Sequence, residues 1–135
     1  MDEKVKKARN FRNYKVWQDA VDYASKVYKI TTRMPWFEKK GLCDQLQRAV
    51  VSISSNIAEG AAKPSDVEFA HFLDMALGSA FEVETQLLIS KNIGYLNNDN
   101  HNHNHNANNV SYEELLSDLQ EIERQINGLI SSLRG

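Results

Sequence analysis

The sequence predicts an all-α fold, an antiparallel up-down-up-down bundle of four helices. Three observations predict it. Apolar residues recur at three- and four-residue steps through most of the chain. Ser65 with Glu68, and Ser111 with Glu114, each stand at the head of an apolar run in the spacing of a capping box. No segment alternates apolar and polar residues as a strand does. Two of the three connections between the helical stretches are short, which favours antiparallel neighbours.

Residues 1–13 read as a basic, flexible arm ahead of a bundle spanning 14–135. The first helix runs from about Tyr14 to Arg33, with Trp17, Val21, Ala24, Val27, Tyr28 and Thr31 on one stripe. Pro35 ends it, because proline disfavours helical geometry in the residue before it. Trp36 and Phe37 follow in the connection, where they are expected to plug the end of the core.

The second helix runs from about Glu38 to Glu59 and stops at Gly60. Leu42, Leu46, Ala49, Val50, Ile53 and Ile57 form its apolar face; Gln45, Arg48, Ser52, Asn56 and Glu59 form a polar stripe. Its remaining face carries Gln47, Val51, Ser54 and Ala58. That face holds little charge for a surface helix, so this helix is expected to be enclosed on several sides.

The third helix opens at Ser65 and carries a wide apolar arc through Phe69, Phe72, Leu73, Ala76, Leu77, Ala80, Val83, Leu87 and Leu88, with Gly94 as its C-terminal cap. Gly78-Ser79-Ala80 offers small side chains where another helix can approach. Residues 97–109, NNDNHNHNHNANN, lack periodicity and read as an Asn/His-rich surface loop. The fourth helix begins at Ser111, and Leu115, Leu116, Leu119, Ile122, Ile126, Leu129, Ile130 and Leu133 line its seam.

At 135 residues the chain is long enough for one domain with a respectable core. Its 41% hydrophobic and 25% charged residues place it with ordinary soluble proteins. Cys43 is the only cysteine, which excludes an intrachain disulfide and makes a reducing cytoplasm the expected compartment. No apolar run has the length of a membrane span, and MDEKVKKARNF has no apolar stretch behind it to serve as a secretory signal. The net charge of −2 is unevenly placed: residues 1–40 carry +6 and residues 41–135 carry −8. A basic arm on an acidic body fits a nucleic-acid contact, or self-association between unlike patches.

The chemistry legible in the residues is sparse. Glu84 falls inside the apolar arc of the third helix, where a carboxylate must be paired, neutralised or wetted. Arg48 is the expected partner, supported by Gln45, Asn56 and Glu59 in a structural polar network. A carboxylate-bridged metal centre needs Glu-x-x-His on two helices, and Glu68 with His71 is a single occurrence, so no catalytic, metal or cofactor site is expected. His101, His103 and His105 alternate with asparagine and would share one side of an extended chain, a loose chelating geometry; compositional drift in a tolerant loop accounts for them more simply. Cys43 reads as a buried apolar residue. Lys4, Lys6, Lys7, Arg9, Arg12 and Lys15 are the candidate nucleic-acid contacts, with Phe11 and Tyr14 available to stack on bases; the alternative is a solvated terminus.

VWQDAVDYASKVYKIT, GLCDQLQRAVVSISSNIAEGAAKPSDVEFAHFL and ALGSAFEVETQLLISKNIGYL together resemble the four-helix-bundle proteins of the 23S rRNA intervening-sequence family. Ser55-Asn56-Ile57-Ala58-Glu59-Gly60, Gly78-Ser79 and Glu82-x-Glu84-x-Gln86-Leu87 carry the resemblance, while Ser54 replaces a proline usual in the family. The resemblance implies a homopentamer without an established enzymatic activity. The expected function is a non-enzymatic oligomeric binding or scaffold module that contacts RNA or a ribonucleoprotein through the arm; the alternative is a purely structural or protein-interaction oligomer.

Overall fold

A computed structural model describes residues 9–96 and 110–135. Among the described residues there are four α-helices and no strand: α1 (Lys15–Thr31), α2 (Leu42–Ala61), α3 (Asp66–Asn92) and α4 (Tyr112–Arg134). Short 3-10 turns at Phe11–Asn13 and Trp36–Glu38 precede α1 and α2. Helix α1 packs on α2 and α4, and α3 packs on the same two, so the four surround one core.

The starts of α3 and α4 each have a local cause. Ser65 accepts a hydrogen bond from the Glu68 amide at 3.1 Å and donates its hydroxyl to the Glu68 carboxylate at 3.0 Å. Ser111 makes the full reciprocal box: the Glu114 amide donates to the Ser111 hydroxyl at 3.1 Å, and the Ser111 amide donates to the Glu114 carboxylate at 3.3 Å. Each arrangement satisfies donors that a helix start leaves open. Helix α3 ends one residue before Ile93, and Gly94 takes a left-handed φ of 92°, the conformation glycine tolerates best.

The core is built from Val16, Ala20, Tyr23, Val27 and Ile30 of α1, with the apolar faces of the other three helices. The buried stripe of α1 is therefore rotated about one residue from the one the sequence predicts. Trp17 and Ala24 flank it, and Tyr28 is exposed. Tyr23 makes this phase possible, since its hydroxyl donates to the Leu115 carbonyl at 2.8 Å and so enters the core with its polar end satisfied.

Three other expectations change. Helix α2 begins at Leu42, because the Pro35–Lys39 stretch is wound into the 3-10 turn instead. It runs past Gly60 to Ala61, and Gly60 is a contact point: a Cβ there would lie 2.6 Å from Phe72 Cβ and 2.9 Å from Phe69 Cδ1. Trp36 and Phe37 do not plug the core; they are 87% and 63% exposed. Residues 9–13, assigned to the flexible arm from sequence, dock on the folded body through Arg9 and Phe11.

Candidate interaction surfaces

The outward stripe of α2 lines an open groove of about 600 Å³, framed by Tyr28 of α1 and Met75 of α3. Asp44, Arg48, Ser55 and Glu59 project along it, with Val51 as an apolar patch between them. Beneath this surface the polar residues are tied down. The buried Asn56 amide donates to the Ser52 carbonyl at 2.9 Å and to the Ser52 hydroxyl at 3.0 Å. The Ser52 and Ser79 hydroxyls share a hydrogen bond of 2.8 Å, which links α2 to α3. Ser79 thus belongs to the α2 contact, Ala80 is in the core, and Gly78 faces open space, with no atom within 4 Å of an added Cβ.

The structure does not join Arg48 to Glu84. Arg48 bonds Asp44 one helical turn earlier, at 3.1 Å, with its side chain 79% exposed. Gln45 and Glu59 also lie at the surface. Arg48 and Glu59 line the open groove of α2, whereas Glu84 sits half-buried on the side of α3 that meets α4. Its neighbour there is Glu123, and the two carboxyl groups share a hydrogen bond. Burial, then that bond, then the charge of Glu84 push Glu123 up to about 7. Glu123 Oε2 is buried without a partner among the described residues. The nearby Tyr23 hydroxyl is also raised, chiefly by burial and further by the charges of Asp118, Glu123 and Glu84. The group that meets Glu84 in this seam is therefore a second carboxyl, not a cation.

Helix α3 carries a second apolar surface opposite its buried one. Phe81, Leu88, Ile89 and Ile93 are all exposed, and Phe81 and Leu88 border a depression of about 270 Å³ with Glu84, Thr85 and Tyr112. Sequence periodicity does not separate this strip from the core because α3 is apolar nearly all round; such a helix is ordinarily covered on more than one side.

Of the candidate nucleic-acid contacts, Arg9, Arg12 and Lys15 fall among the described residues. Arg9 is engaged by the body: its guanidinium donates to the Lys63 carbonyl at 2.9 Å, pairs with Asp66, and lies 4.8 Å from the centre of the Phe69 ring. Lys15 bonds Asp19 at 2.6 Å. Hydrogen bonds from Gln125 and then Lys15 hold the Asp19 carboxyl below its usual range. Arg12 is exposed and covers the Phe11 ring at 4.6 Å. Lys4, Lys6, Lys7 and the histidines at 101, 103 and 105 lie outside the described residues. No group of three His, Cys, Asp or Glu among the described residues is placed to hold a metal ion. No helix there is long and apolar enough to cross a membrane.

These features define an all-α four-helix protein with an open groove along α2 and an exposed apolar strip on α3. The profile of the 23S rRNA-intervening sequence protein family matches residues 12–128, and the chain belongs to that family. It is also similar to the crystal structure of a protein of unknown function from the S23 ribosomal protein family of Bacteroides thetaiotaomicron. That likeness has 22% identity and a TM-score of 0.71, covering 86% of this chain and 95% of the other; at this identity it speaks for the fold. Among curated proteins, none matches.

Proposed function

We propose that this chain is a non-enzymatic, self-associating scaffold: an antiparallel up-down-up-down bundle that assembles as a homopentamer in the cytoplasm and binds RNA or a ribonucleoprotein. The antiparallel arrangement is supported by opposed pairings along the helices. Asp74 meets Arg134 at one end of the α3–α4 seam and Lys91 meets Tyr112 at the other; Gly60, late in α2, meets Phe69 and Phe72, early in α3.

The observation that carries self-association is the exposed apolar strip of α3, with Leu88 44% and Phe81 51% exposed on a helix whose opposite side is wholly core. Contiguous apolar surface of this kind marks an interface. The number five comes from the family resemblance. Light scattering on the purified chain tests the reading: an oligomer is expected, and a monomer at micromolar concentration overturns it.

The RNA partner is supported by the basic bias of residues 1–40. A purely structural oligomer is the second reading, favoured by the engagement of Arg9 and Lys15 with the protein's own carboxylates. Binding of structured RNA that weakens with salt and weakens further on deleting residues 1–8 supports the first; no binding even at low salt leaves the second.

A further inference from the structure

We infer that the elbow between α1 and α2 is a binding site for single-stranded nucleic acid, in which Trp36 stacks on a base while Lys39 and Lys40 meet the phosphates. The inference deepens the RNA reading, on which it rests, and places a contact away from the N-terminal arm.

The first observation is the aromatic pair. Trp36 and Phe37 stand edge to face with ring centres 6.2 Å apart, and both are largely in water. Exposure here is not fraying. The Glu38 amide donates to the Pro35 carbonyl at 2.9 Å and the Lys39 amide to the Trp36 carbonyl at 3.1 Å, so the turn is wound tight. From below, Gln47 donates to the Thr31 hydroxyl at 2.9 Å, tying α2 to the end of α1. A rigid turn that holds an indole in water forgoes the burial a Trp ordinarily gains, which is the disposition of a stacking platform.

The second observation is charge. Residues 29–40 hold Lys29, Arg33, Lys39 and Lys40 against Glu38 alone. Glu38 accepts a hydrogen bond from the Tyr95 hydroxyl at 2.7 Å, which turns its carboxylate toward the end of α3. Among the described residues Lys29, Lys39 and Lys40 enter no ion pair. On a body carrying −8 from residue 41 onward, this cationic corner complements a phosphate backbone.

The third observation is a hollow of about 340 Å³ beside the indole. Met34, Pro35 and Trp36 give it apolar walls, and Thr32, Lys39 and Gln47 give it polar groups at the rim. Apolar walls with a few hydrogen-bonding groups suit an unpaired base, whose faces and pairing edge are free; a duplex stacks those faces and pairs that edge. A lipid surface would use the exposed rings and lysines but has no need of the hollow.

The test is fluorescence anisotropy of a labelled oligouridylate of about 15 nucleotides with the full chain and its variants, at low salt and across a salt series. Trp36→Ala is expected to weaken binding roughly 5- to 150-fold, the range of one base stack removed. Lys39→Ala with Lys40→Ala is expected to flatten the salt slope by about 0.7 for each phosphate no longer neutralised. The substituted residues are exposed, so unchanged melting temperatures will show that the variants fold. Deletion of residues 1–8 is expected to leave the effect of Trp36→Ala in place. Abolished binding on that deletion with no change in Trp36→Ala overturns the elbow site and keeps the arm. Equal affinity for a duplex of the same length, or no binding by the wild type, overturns the proposal. So does binding confined to vesicles of equal parts phosphatidylcholine and phosphatidylserine.

Discussion

Replacing Gly60 with alanine should destabilise the protein, although the same change in a helix ordinarily stabilises it. Alanine in a helix interior is favoured over glycine by about 1 kcal/mol. At Gly60 the new methyl would lie 2.6 Å from Phe72 Cβ, 2.9 Å from Phe69 Cδ1 and 3.3 Å from the Phe69 carbonyl oxygen. Phe72 Cβ is fixed to the backbone of α3 and Phe69 is fully buried, so neither can swing aside. Relief requires α2 and α3 to separate, which places the cost at the upper end of overpacking, about 3 kcal/mol. The net destabilisation is about 2 kcal/mol. With an unfolding entropy of about 2 cal/mol/K per residue, that lowers the melting temperature by roughly 7 °C. Gly128 provides the control, because nothing lies within 4 Å of a Cβ there; Gly128→Ala should gain about 0.5–1 kcal/mol. Thermal unfolding at one fixed protein concentration reads both, since association shifts the midpoint. If Gly60→Ala melts at or above the wild type, the close approach of the two helices is refuted.

Glu123→Gln should stabilise the protein above neutral pH. The folded state holds the Glu123 proton up to about 7, above the ordinary 4.5, so it binds more protons than the unfolded chain between those values. Stability therefore falls as pH rises through that window, by on the order of 1 kcal/mol after allowing for the partial exposure of the pair. Urea midpoints at pH 5 and pH 8 should differ in the wild type and converge in the variant. Arg9→Ala should cost about 2 kcal/mol, since it removes a charged hydrogen bond to the Lys63 carbonyl and a cation resting on Phe69; denaturant titration checks this. Leu88→Glu with Phe81→Glu should leave the monomer folded, because both side chains are exposed, and should lower the mass seen by light scattering.

The helices are legible in the sequence because their signals are local: period, capping serines and the position of Pro35 each act within a few residues. Long-range pairing is not. The sequence predicts that Glu84 must be paired, neutralised or wetted but does not say across which seam, and it offers Arg48 only as a cation on a polar stripe. In the structure Arg48 itself projects into solvent, and Asp44 is within reach one turn back. The exposure of Trp36 is hidden because a tryptophan beside a helix end reads as core unless the turn geometry is known. Arg9 reads as a free cation for a related reason: Asp66 and Lys63 are over fifty residues away in sequence.

Cys43 makes the α1–α2 corner observable. It is buried, with its thiol directed at the Thr31 carbonyl at 3.6 Å, and it is the only cysteine in the chain. It is nearly all covered, so a thiol reagent reacts with it chiefly when the corner opens. The rate at which it is labelled therefore measures how often that corner breathes, with no probe added and no competing site. A ligand that closes on Trp36, which lines the same hollow as Cys43, would slow that clock.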